Sequence, residues 1–148
     1  MIAIGCDHAA VALKEELKAH LKDQGFEVED VGIHGTGKAD YPVVALKVTR
    51  AISNGTCNLG VLLCGTGVGM SIAANKVRGV RAACCDTPRC AALSREHNDS
   101  NILCMGARMI TADQARETLA AWLNASFAGG RHTARVAMIG EMETPAAP

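Results

Sequence analysis

The sequence is poor in aromatic residues: one Trp, one Tyr and two Phe in 148 positions. Any interior must therefore be filled mainly by Ala, Val, Leu, Ile, Met and Cys, within an apolar share of 49%. Net charge is missing too, since fifteen Lys and Arg balance fifteen Asp and Glu with no long basic run. That balance argues against nucleic acid or an anionic membrane surface as the main partner. No apolar run approaches the roughly 18–20 residues of a membrane span. The chain starts directly on Met1-Ile2-Ala3-Ile4-Gly5, without a charged n-region and cleavable apolar segment, so a cytoplasmic protein is expected. Seven cysteines occur, but none forms a C-x-x-C pair and no two pairs have zinc-finger spacing. Those in Ala82-Ala83-Cys84-Cys85 and Ile102-Leu103-Cys104 read as small buried hydrophobes of a reducing compartment.

What is present is an alternation of strand and helix signals. Ile2–Cys6 reads as a buried strand, and Val11 to Gln24 as a helix with Leu13, Leu17 and Leu21 at four-residue spacing, ending at Gly25. Period-two alternation over Phe26–Val31 predicts a second strand, and Pro42 opens a helix to about Ile52. Leu59–Cys64, Val80–Cys85 and Asn101–Met105 read as strands three to five. The intervening helices are expected over Met70–Lys76, Pro88–His97 and Ala112–Phe127, with a last one over Arg131–Met142. Near-continuously apolar strands between helices predict a three-layer α/β/α, Rossmann-like fold around a five-stranded parallel sheet. Residues 1–142 are expected to form one domain and 143–148 a frayed tail.

The chemistry concentrates where the third strand ends. Cys64 opens Cys64-Gly65-Thr66-Gly67-Val68-Gly69, a thiol followed by alternating glycines and a helix. Such glycines let the backbone approach a ligand and turn N–H groups toward an anion, and a helix N-terminus favours a thiolate. The loop is neither G-x-G-x-x-G nor G-x-x-x-x-G-K-[ST], which weakens dinucleotide and P-loop readings. In parallel sheets ligands bind beyond the carboxyl ends of the strands, which brings Cys6-Asp7-His8, the Cys64 loop and Arg108 to one rim. Taken singly, Asp7 reads as a helix cap, His97 as a dipole-favoured terminal residue, and Arg131 and Arg135 as one solvated helix face that would also suit a phosphate.

In order along the chain stand Gly5-Cys6-Asp7-His8, Asp40-Tyr41-Pro42, Cys64 to Gly69, Ala73-Ala74-Asn75-Lys76, His97-Asn98-Asp99 and Gly129-Gly130-Arg131-His132. This ordered set closely resembles the ribose-5-phosphate isomerase B family, related to the galactose-6-phosphate and allose-6-phosphate isomerases. The resemblance implies metal-free interconversion of ribose 5-phosphate and ribulose 5-phosphate through an enediolate, with no cofactor. It implies Cys64 as the base and Gly65, Gly67 and Gly69, with Thr66 nearby, as holders of the enediolate oxygen. Some relatives carry a glutamate base where this chain has Met70, a departure that strengthens the assignment to Cys64. His97 with Asp7 matches the ring-opening pair, Asn98 and Tyr41 the sugar contacts, and His8, Arg108, Arg131, His132 and Arg135 the phosphate ligands. The resemblance further implies a homodimer or dimer of dimers whose active sites draw on both subunits. The competing readings are an isomerase of a six-carbon 6-phosphate, a non-catalytic sugar-phosphate sensor and a thiol redox protein. The missing C-x-x-C counts against the last.

Overall fold

In the computed structural model residues 1–143 are described, and among them five strands alternate with helices. The order is β1 (Ile2–Cys6), α1 (Val11–Asp23), β2 (Val28–Asp30), α2 (Tyr41–Ser53), β3 (Leu59–Cys64) and α3 (Val68–Ala74). It continues with β4 (Ala82–Cys84), α4 (Pro88–Asn98), β5 (Ile102–Gly106), α5 (Ala112–Asn124) and α6 (Arg131–Glu141). The sheet runs β2-β1-β3-β5-β4, and every pairing is parallel. The chain reverses its winding between β1 and β3, which places the switch-point crevice beside Asp7 and the Cys64 loop.

Strand periodicity divides the interior into two layers. Ile2, Ile4, Val61, Leu63, Leu103 and Met105 point to one face and pack with Leu13, Leu17, Leu119 and Trp122. Ala3, Leu62, Ile102 and Cys104 point to the other and pack with Val44, Val48 and Met70. This is the α/β/α arrangement the apolar strands predict. Close approach of α2 to the sheet depends on Gly5, where a Cβ would come within 2.8 Å of Val44 and 2.9 Å of Val48.

Several boundaries differ from the periodicity-based expectation. β2 starts at Val28 rather than Phe26, because the Phe26 N–H closes the end of α1 on the Leu21 carbonyl after Gly25 turns the chain at φ +82°. α3 starts two residues before Met70, since Gly67 caps it. α5 stops at Asn124, where Ala125 turns extended (ψ 151°), instead of running to Phe127. β4 has three residues. On its outer side the Asn75 amide donates to the Ala82 carbonyl (2.9 Å) and accepts from the Ala82 N–H (2.8 Å). Cys84 is exposed while Cys85 is buried, so the pair does not sit wholly in the core. Of the tail expected from 143 onward, Glu143 accepts the Gly79 N–H on both carboxylate oxygens (3.0 and 2.9 Å), and 144–148 lie outside the described residues.

A buried ammonium holds the β1–β2 side together. Lys14 is fully buried and donates to both Asp30 oxygens (3.0 and 2.8 Å) and to the Ile33 carbonyl (2.9 Å). Burial pushes the Asp30 carboxyl up, but hydrogen bonds from Lys14, Lys18 and the Gly32 N–H outweigh it and hold the group below its ordinary value. Glu15 is held low by Lys18 and Lys14. Carboxyls depressed in the folded state contribute stability that is complete above their unfolded values and disappears as pH falls through the folded ones. These carboxyls are therefore expected to leave stability level between about pH 5 and pH 8 and to make it decline below about pH 4. Lys14→Met should cost about 3 kcal/mol at neutral pH, the low end for a broken buried pair because Lys18 still serves Asp30. Urea unfolding at neutral and acid pH checks both points: the gap between wild type and variant should narrow in acid.

Candidate active site

At the carboxyl end of the sheet, β3 ends on Cys64, which is 5% exposed. Its sulfur accepts the Gly67 N–H at 3.1 Å. Gly67 has φ +78° and caps α3, a backbone state that L side chains rarely adopt. The following segment continues alongside: Ala107 N–H donates to the Cys64 carbonyl (2.9 Å) and Arg108 N–H to the Gly65 carbonyl (3.0 Å). The Arg108 side chain then lies over Gly65, with Nη1 3.3 Å from where a Cβ would stand. The Tyr41 ring, from the first residue of α2, covers Gly69, with Cζ 3.0 Å from its would-be Cβ. Thr66 and His8 are exposed.

Asp7 follows β1, its N–H donating to the Leu63 carbonyl (3.2 Å), one residue before the thiol. Its carboxylate accepts the Ala9 N–H (2.9 Å) and is only 7% exposed. Asp7, His8, Tyr41, the Cys64–Gly69 loop and Arg108 therefore share one rim, as the sheet rule requires. Met70 is fully buried in the core, where a thioether can neither take nor give a proton.

The remaining expected residues form a second group. α4 runs back from the end of β4 to the start of β5, so His97 and Asn98 lie at the amino end of the sheet. The His97 and His132 rings stack, with centroids 4.3 Å apart and planes at 11°. Burial, followed by the nearby His97, Arg131 and Arg135 charges, lowers the His132 pKa. Arg131 and Arg135 are exposed on the same first turns of α6. Arg81 clamps the end of α4, donating to the Asn98 carbonyl (3.1 Å), the Asp99 carbonyl (2.8 Å) and the Asp99 carboxylate (2.8 Å). From inside, Trp122 donates to Ser100 (2.8 Å), which also bonds Ser94.

Within one chain the two groups do not converge. The strands between them are five to six residues long, roughly 17–20 Å of extended chain. The expected pairing of His97 with Asp7 is therefore not made inside a single chain. Sequence patterning alone also misses Cys84, whose sulfur reaches from two strands away to 2.9 Å from where a Gly67 Cβ would stand.

A groove of about 600 Å³ lies between the start of β4 and α6, lined by residues including Arg78, Arg81, Ile139 and Met142. It is at the end of the sheet opposite Cys64. For a metal, the cluster found among the described residues is Glu15, Asp30 and His34. Lys14 and Lys18 already occupy its carboxylates, so a cation there would meet two ammonium groups. No helix among the described residues is long and apolar enough to cross a membrane.

Comparison with known proteins concerns the chain as a whole. The ribose/galactose isomerase family model matches residues 2–139. Ribose-5-phosphate isomerase B of Escherichia coli is 47% identical over 142 residues, covering 96% of this chain and 95% of that protein. D-erythrulose-4-phosphate isomerase of Pectobacterium atrosepticum is 43% identical over 143 residues, covering 96% of each. The solved ribose-5-phosphate isomerase B of Clostridium thermocellum is 51% identical and superposes with a TM-score of 0.94 over 96% of each chain.

Proposed function

Because this chain belongs to the ribose/galactose isomerase family, we propose that it interconverts D-ribose 5-phosphate and D-ribulose 5-phosphate through an enediolate. The observation that carries the reading is the Cys64 thiol, set against a backbone N–H in a glycine loop at the switch point of the sheet. Cys64 takes the C2 proton of the open-chain aldose and returns it to C1, while the hydroxyl proton on O2 passes to O1 across the enediolate. As the sulfur is protonated, negative charge passes to the sugar oxygen, and the Gly67 N–H beside the sulfur becomes available to it. With Gly65 and Gly69, Gly67 forms the oxygen cradle, and Thr66 stands nearby. One such donor is worth about 3 kcal/mol in the transition state.

The separation of the two residue groups supports a homodimer with composite sites. One subunit would supply Asp7, His8, Tyr41, Cys64 to Gly69 and Arg108. The partner subunit would supply the His97–Asn98 end of α4 and the Arg131, His132, Arg135 face of α6. His97 and Asp7 then open the furanose, Asn98 and Tyr41 hold the sugar, and the arginines with His8 and His132 hold the phosphate. Exposed Tyr41, Leu46, Val68 and Ile72 on α2 and α3 provide apolar surface for such an assembly. The free cysteines among the described residues suit a reducing, cytoplasmic compartment.

A relative named for a four-carbon sugar phosphate, at 43% identity, makes sugar length the variable to measure. A matched isomerisation assay with ribose 5-phosphate, allose 6-phosphate and free ribose provides the test. Ribose 5-phosphate is expected to turn over fastest and free ribose hardly at all. Faster turnover of allose 6-phosphate would reassign the substrate, and tight binding without turnover would make the protein a sensor.

A further inference from the structure

The Thr66–Gly67 peptide is held between two thiols. Its N–H, on Gly67, donates to Cys64 Sγ at 3.1 Å. Its carbonyl, on Thr66, accepts from Cys84 Sγ at 3.7 Å. The same peptide packs closely against the end of β5: a Cβ on Gly106 would stand 2.6 Å from the Thr66 carbonyl carbon, and one on Gly67 2.9 Å from that of Met105. Cys84 ends β4, two strands from Cys64, with its register partner Cys104 on the β5 strand between them. No motif of the chain requires a thiol at position 84.

We propose that Cys84 is a positioning residue for Cys64. By donating to the Thr66 carbonyl, its thiol fixes the Thr66–Gly67 peptide with the N–H on the Cys64 sulfur and strengthens that donor. The inference rests on the reading of Cys64 as the base. Glycine tolerates several backbone states, so the peptide before Gly67 can rotate at modest cost unless something holds it. A rotated peptide would turn its carbonyl toward the sulfur and repel a thiolate. Two hydrogen bonds on one peptide also polarise it in the same sense, each strengthening the other.

For this role Cys84 must keep its proton when Cys64 loses one. Burial, then the charges of Cys64, Asp86 and Cys90, push the Cys84 thiol up, so it remains a donor. Cys104, fully buried, is pushed up as well. Asp7 and His8 after β1, Tyr41 at the start of α2 and Arg108 after β5 are the other titratable groups the described residues place at this rim. Among the described residues, Cys84 is the side chain bonded to the Thr66 carbonyl.

The test compares Cys84→Ser, which keeps a donor, with Cys84→Ala and Cys84→Val, which remove it. Alkylation of Cys64 by iodoacetamide is followed against pH by peptide mass spectrometry, beside the pH profile of kcat/KM with ribose 5-phosphate. In the Ala and Val variants, Cys64 alkylation at neutral pH is expected to slow about threefold, with its midpoint moved to higher pH. The Ser variant should recover most of that rate. Should the alanine variant fail to fold, the Val and Ser variants, which stay close to cysteine in size, carry the comparison. Profiles coinciding with wild type in Ala and Val would overturn the proposal, as would a Ser variant no better than Val. A shifted alkylation profile with unchanged kcat/KM would uphold the positioning role and remove Cys64 from the base role.

Discussion

Cys64→Ala is expected to lower kcat by about 10²–10⁴, the usual worth of a general base, while sugar-phosphate binding survives. The thiol is almost fully enclosed and its one backbone donor lies 3.1 Å away, so its removal leaves a small gap beside an intact cradle. Calorimetric titration with ribose 5-phosphate should then give an affinity within a few fold of wild type. Turnover near the wild-type rate would remove Cys64 from the mechanism. The arrangement of the two residue groups adds a sharper readout. Mixing inactive Cys64→Ala with inactive His97→Ala and allowing subunits to exchange should restore about a quarter of wild-type activity. Half of the reassorted dimers are mixed, and each mixed dimer has one intact site of its two. No recovery after demonstrated exchange would place both residues on the same subunit's site and contradict the composite arrangement.

Gly67→Ala carries the second large effect. Its Cβ would meet the Met105 carbonyl carbon at 2.9 Å and the Cys84 sulfur at 2.9 Å, and the residue would be held at φ +78°. The sulfur can move, but the end of β5 cannot do so without disturbing its pairing with β3. Backbone strain of this kind costs about 1–3 kcal/mol. Because the displaced N–H belongs to the proposed oxygen cradle, kcat should also fall on the order of 10²–10³. Gly79→Ala is the control: it shares φ +78° but has nothing within 4 Å of its Cβ. It should lose stability without the catalytic loss. Equal kcat losses in both variants would show that strain, rather than the displaced donor, is responsible.

Much of the fold is legible in the sequence because its causes are local. Leu13, Leu17 and Leu21 recur on one helical face, and Gly25 ends α1 with a positive φ. The apolar run at Leu59–Cys64 forms a strand buried almost from end to end. The Cys64 loop is legible for the same reason, since thiol, glycines and helix start are contiguous. What escapes is set by relations across space. Cys84 looks like any cysteine of an apolar strand until β5 is found to separate it from β3 by one strand width. Asp7 is placed at the carboxyl rim by the strand it follows, but nothing within His97-Asn98-Asp99 itself marks the opposite end of the sheet. Their separation follows from the direction in which α4 returns to start β5, which only the assembled topology supplies.

The Asn75 amide on the flank of β4 has a consequence for how copies of this chain meet. An outer strand with free N–H and C=O groups is a template on which another strand can add, and repeated addition makes open aggregates. Asn75 fills that template at Ala82 with one donor and one acceptor, while β4 offers only three residues in all. Growth by extending the sheet is thereby blocked on this side, which leaves helix surfaces as the place where the proposed symmetric pair can close on itself. Asn75→Ala should leave the loop at Cys64 untouched and raise the tendency to form strand-paired aggregates, because a side chain that mimics a sixth strand has been taken away.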